Sequence, residues 1–192
     1  MAGVRRETPL TKFNDLAKEW EKSVAQGTGR LTQIANANQK LSHADGESWA
    51  GLADAHALHT TLRHKLEREA HQSWQHLSTV LDQLGEILSK MRSLCLVEIT
   101  PHKMDVDCNF CPTLSRVQHD LLFQELIEMY QQELMAKAMI AVDIVDCHDH
   151  DTAVVYIASW QMQPYVCKSR QDELLVLLAP PPKRESSQKL VK

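Results

Sequence analysis

Phe13, Leu16 or Ala17, Trp20, Val24, Leu31, Ile34 and Leu41 follow one another at steps that sum to threes and fours, which places them on one stripe of a helix. Thr8-Pro9 stands just before that stripe. The threonine hydroxyl can accept from free backbone N–H groups, and proline is best tolerated at the first helical position, so the helix starts there. Gly27 and Gly29 interrupt the pattern. A glycine costs about 1 kcal/mol in a helix interior relative to alanine, which predicts a kink or short break near Gln26 to Arg30.

After the turn-like stretch His43 to Ser48, a second pattern runs for about fifty residues without a proline and predicts one very long helix. Its stripe is Leu52, His56, His59, Leu62, Leu66, Ala70, Ser73, Leu77, Val80, Leu84, Ile87, Met91 and Leu94, a spacing that suits a coiled-coil-like seam. At 1.5 Å per residue such a helix is ~70 Å long, more than a domain of this size is wide. The first helix can fold back as its antiparallel mate. The glycines and polar positions such as Asn38 weaken that cover, so the far end of the seam calls for a helix from another chain.

Residues Thr100 to Pro112 carry a proline, two close cysteines and no period, and read as a loop. A third helix starts around Thr113 or Ser115, where Ser115 and Gln118 match a capping box. Val117, Leu121, Leu126 or Ile127, Tyr130, Leu134, Ala138, Ala141 and Ile144 or Val145 form its predicted apolar face to near Cys147. The polar run His148 to Asp151 ends it, Asp151 caps a fourth helix over 152–163, and Pro164 stops that helix. A short last helix covers 171–178. The predicted fold is therefore all-α: a long antiparallel, coiled-coil-like hairpin over 1–98, a variable loop at 99–112, shorter C-terminal helices over 113–179, and a disordered tail at 180–192.

Composition supports helices: glycine, proline and aromatic residues are sparse, so there are few turns between elements. A net charge of −4 leaves no basic field to hold phosphate backbones, which disfavours direct nucleic-acid binding. No uncharged stretch approaches the ~20 residues of a membrane span, and no apolar run follows the charged N-terminus, so a soluble, unexported chain is expected. Cys95, Cys108, Cys111, Cys147 and Cys167 are odd in number and read as reduced thiols.

Catalytic signatures fail. Gly46 and Gly51 are the only glycines spaced to suggest a phosphate loop, and Leu52 stands where a lysine would be required. His-Glu-x-x-His, Glu-x-x-His and Gly-x-Ser-x-Gly patterns are absent. Neither an enzyme activity nor a cofactor is expected. The alternative reading is a zinc site, with Cys108 and Cys111 at a spacing that can hold one face of the ion and His102 or His119 as further ligands, although the second cysteine pair is missing. The run Cys147 to Asp151 and the pair His56 and His59 read more simply as a polar turn and as seam histidines.

Trp160-Gln161-Met162-Gln163-Pro164-Tyr165-Val166 gathers two aromatics and a helix-stopping proline at one helix end, and reads equally as a core corner and as a partner anchor. Candidates for partner contact are Leu77, Leu84 and Ile87 on the seam, together with Tyr130, Trp160, Pro164 and Tyr165.

Glu128-Met129-Tyr130, Glu133-Leu134, Lys137, Tyr156, Ser159-Trp160 and Gln163-Pro164-Tyr165-Val166 resemble the cyclin-dependent kinase 2-interacting protein family, with further likeness at Trp20-Glu21 and Ile34-Ala35-Asn36. The resemblance implies a small nuclear helical protein, found also in the cytoplasm, without catalytic residues. It further implies an adaptor linked to cyclin-dependent and S-phase kinases, to ATRIP in checkpoint signalling, and to a AAA+ ATPase assembly. That assembly includes a second small helical subunit and acts in DNA replication and ribosome maturation. The Cys108 to Cys111 pair does not belong to the family pattern and marks its loop as variable.

Overall fold

Thr8 opens the first helix as its sequence suggests: the Thr11 backbone N–H donates to the Thr8 hydroxyl at 3.2 Å, and Pro9 takes the first helical position. The computed structural model of the chain describes residues 8–46, 56–97 and 115–179. These form five α-helices: α1 (Pro9–Gly46), α2 (His56–Val97), α3 (Arg116–Asp143), α4 (His150–Met162) and α5 (Lys168–Leu178), with a 3-10 turn at Ile144–Asp146. The variable loop at 99–112 and the tail at 180–192 lie outside the described residues, as does Leu52.

The all-α architecture is the expected one. α2 returns antiparallel along α1, so that Ser73 donates to the Gln33 side chain at 3.2 Å and the His59 ring meets the Ala44 carbonyl at 3.2 Å. The stripe read from the sequence is the packed face of α2. Leu66, Ser73, Leu77, Val80, Leu84, Ile87 and Met91 are buried, and His59, Leu62, Ala70 and Leu94 are half-buried. At 1.5 Å per residue α2 is ~63 Å long, which leaves it longer than the elements that cover it.

α3 runs beside α1 in the same direction and closes a three-helix core. Phe13 meets the edges of Phe123 and Tyr130 at ring centroid distances of 5.7 and 5.9 Å, and Trp20 meets Tyr130 at 5.1 Å. The Ser115 capping box is formed in both directions, which fixes where α3 begins. At its other end the Asn38 amide on α1 donates to the carbonyls of Ile144 and Val145 at 3.0 Å and of Cys147 at 3.2 Å. The polar residue read as a weakness of the seam thus satisfies carbonyls that the end of α3 leaves open.

α4 then runs back against α1, and α5 lies over the start of α3, tied by a two-pronged contact of Arg170 with Glu125 at 2.6 and 2.9 Å. That contact, being bidentate, holds the Glu125 carboxyl below its ordinary range.

Five expectations need correction. No break occurs at 26–30, because Gly27 and Gly29 sit within a continuous helix whose packing offsets the glycine penalty; α1 also runs on to Gly46, through part of the stretch read as a turn. α3 ends at Asp143, where the 3-10 turn takes over, rather than near Cys147. α4 is capped by Asp149, whose carboxylate accepts from the Thr152 N–H at 2.8 Å and the Thr152 hydroxyl at 2.6 Å, so it starts at His150 and Asp151 falls in its first turn. α5 starts at Lys168.

The predicted face of α3 is buried at Leu126, Ile127, Tyr130, Ala141 and Ile144, and differs elsewhere. Val117 and Leu121 are 68% and 60% exposed and Ala138 is exposed, whereas Glu133 and Lys137 are buried. α3 also carries apolar residues such as Met135 and Met139 on its exposed side, so its pattern does not reveal that Glu133 and Lys137 complete the buried stripe.

Candidate protein-docking surfaces

Glu133 and Lys137 lie one turn apart on α3 with side chains fully enclosed, and their charges meet at 2.7 Å. Burial alone would be costly for both. Each therefore finds a second partner at the end of α4. The Lys137 ammonium donates to the Trp160 carbonyl at 2.6 Å, one of the last carbonyls of α4, where a cation also complements the helix dipole. It lies 4.7 Å from the centre of a Trp160 ring. The other Glu133 oxygen accepts the Tyr165 N–H at 3.0 Å. Burial pushes the Lys137 ammonium below the ordinary lysine range, against the opposing pull of Glu133.

The chain turns where these contacts hold it. Gln163 adopts the left-handed conformation at φ 49°, its N–H returns to the Ser159 carbonyl, and its side chain accepts from the Trp20 indole at 2.7 Å. Trp160 itself is enclosed, with its indole N–H on the Val24 carbonyl at 2.9 Å. Its ring lies directly against Gly27, where a Cβ would stand 2.7 Å from Trp160 Cε2. The corner is thus a core element inside and a surface outside: Pro164 and Tyr165 are exposed, next to an 80% exposed Met162.

Leu77, Leu84, Ile87 and Tyr130 are buried within this chain's own core, as Trp160 is. Of the candidates for partner contact read from the sequence, Pro164 and Tyr165 stand on the surface. Burial also pushes the Tyr130 hydroxyl up to about 12, against a hydrogen bond with Gln171 and with some help from the charge of Glu21.

A second surface opens where α3 runs out. Between the hairpin and the 3-10 turn lies an open groove of about 1080 Å³, whose walls include Asn38 and Leu41 of α1, Glu67, His71 and Trp74 of α2, Val142 at the end of α3 and Val145 of the 3-10 turn. Trp74, Val142 and Val145 are 39%, 70% and 42% exposed, so apolar side chains face solvent on both walls. The Trp74 ring stacks on His71 at 6.4 Å, and Arg63 pairs with Glu67 at 2.9 Å along the rim. The exposure of Trp74 follows from the early end of α3, which no pattern within α2 reveals.

Three of the four zinc-ligand candidates, His102, Cys108 and Cys111, lie outside the described residues. His119 is on α3, half-buried, with Nδ1 4.0 Å from Asp120. Among the described residues no group of three or more His, Cys, Asp or Glu side chains is placed to hold a metal ion, and no helix is long and apolar enough to cross a membrane.

No family model matches the chain. It is similar to the cyclin-dependent kinase 2-interacting protein of Xenopus laevis, at 25% identity over 114 residues that cover 56% of this chain and 54% of the relative. The match is distant, and the chain spans about half the length of that curated relative.

Proposed function

We propose that this chain is a non-enzymatic adaptor that holds protein partners on its helices, and that the groove beyond α3 is a principal docking surface. The observation that carries this is the exposure of Trp74, Val142 and Val145 on facing walls of a trough whose other half is filled by α3. The distant likeness to a protein whose name records an interaction with cyclin-dependent kinase 2 favours a kinase among the partners.

The fuller proposal follows the resemblance carried by the Glu128 to Val166 residues, with Trp20-Glu21 and Ile34-Ala35-Asn36. It places the chain in the nucleus, with a cytoplasmic pool, as an adaptor for cyclin-dependent and S-phase kinases and for ATRIP. It also makes the chain one subunit of a AAA+ ATPase assembly together with a second small helical subunit, active in DNA replication, checkpoint signalling and ribosome maturation. Purification of the chain, tagged at its native level, from nuclear extract tests both layers. Stoichiometric recovery of a AAA+ ATPase with a small helical protein supports the fuller proposal. Recovery of other stoichiometric proteins leaves the adaptor reading and removes the assembly, and a lone monomer removes both.

A further inference from the structure

The groove is the next stretch of a trough that a helix already occupies. α3 packs along α2 and touches α1 near its start, where Phe13 meets Phe123; α4 covers the middle of α1, and Asn38 then takes the carbonyls of the turn at Ile144 to Cys147. There the chain leaves for α4, while the hairpin continues. Beyond that point the α2 wall runs from Trp74 back to Arg63, eleven residues or ~16 Å, which is three turns of helix.

We infer that this stretch receives an amphipathic helix of a partner protein, lying end to end with α3 and entering by its N-terminus; the inference rests on the adaptor reading. Continuity with the α3 packing surface makes the occupant a helix. Trp74, Val142 and Val145, with half-buried Leu41 and Ala70 between them, call for apolar residues at i, i+3 or i+4, and i+7 on its inner face. The direction comes from charge. The groove begins at the C-terminal, negative end of the α3 dipole, where Asp146 lines the wall beside His148, whereas the Glu67 carboxylate farther along is paired with Arg63. A helix N-terminus with Lys or Arg in its first turn matches that end. An acidic first turn opposes it.

The test places a photo-crosslinking amino acid, in separate variants of the full-length chain, at Trp74, Val142 and Arg63, and at Leu121 as an exposed position outside the groove. Crosslinked peptides are mapped in the native complex. The expected result is one partner segment captured from all three groove positions and not from Leu121. Its contacts should recur at three- and four-residue intervals, with its N-terminal part on Val142 and its C-terminal part on Arg63. Trp74→Glu with Val142→Asp should then lower partner recovery at least tenfold without moving the melting temperature. A partner that still co-purifies but crosslinks only elsewhere overturns this inference and spares the adaptor reading. Capture of a second copy of this chain, or of a segment without helical spacing or with the reverse direction, also overturns it. Absence of any stoichiometric partner overturns both.

Discussion

Trp160 of α4 lies so close over Gly27 of α1 that a Cβ on residue 27 would stand 2.7 Å from its Cε2, and its indole N–H reaches the Val24 carbonyl one turn away. The two residues are a matched notch and key. The glycine that reads as a helix break is where the helix admits a large ring at backbone distance.

Gly27→Ala should therefore destabilise the chain by about 1–3 kcal/mol, since the ring must move and its bond to Val24 is strained. Gly29→Ala, with nothing within 4 Å of the added Cβ, should stabilise it by up to about 1 kcal/mol through helix propensity. Urea unfolding of the two variants checks the opposite signs.

Removing one member of the enclosed ion pair should be worse than removing both. Glu133→Ala leaves the Lys137 charge without its carboxylate and the Tyr165 N–H without its acceptor, at a cost of about 3–5 kcal/mol. Glu133→Leu with Lys137→Met replaces both charges by apolar volume and should recover part of that loss. A double-mutant cycle from denaturant midpoints measures the coupling.

Tyr130 should make the fold sensitive to alkali. Its hydroxyl titrates higher in the folded chain, at about 12, than in the unfolded chain, near the ordinary 10. Between these values the unfolded state releases the proton first, so stability is fully present below pH 10 and falls by roughly 2–3 kcal/mol as pH rises to 12. Tyr130→Phe should lack this step. Comparing the two proteins at pH 8 and pH 11.5 cancels groups they share, including Lys137, whose lowered value acts in the opposite direction over its own window.

Charge placed on the hairpin should separate folding from docking. Leu77→Asp and Leu84→Asp, at fully buried positions, should lower the melting temperature by more than ten degrees or abolish folding, at several kcal/mol each. Partner loss in those variants follows from unfolding. Thermal melts run beside co-purification distinguish them from surface variants at Trp74 and Val142.

The hairpin was legible because α2 has a single packed face: the steps from Leu66 to Met91 match its burial, and local chemistry at Thr8 and Ser115 marks two helix starts without help from the rest of the chain. α3 was not legible in the same way. Met135, Met139 and Val142 point outward while Glu133 and Lys137 point inward, because Trp160 and Tyr165 supply their partners from more than twenty residues away. A Glu and a Lys four residues apart between apolar neighbours was the available sign, but on an ordinary surface helix the same pair is solvated. The groove followed neither pattern nor motif, since it depends on where α3 stops.

That stopping point belongs to Asn38. One amide on α1 gathers the carbonyls of Ile144, Val145 and Cys147, so it acts as a ruler for α3 and, in turn, for the open length of the trough. The side chain that ties down the turn after α3 is thus also part of the wall of the open trough that starts there.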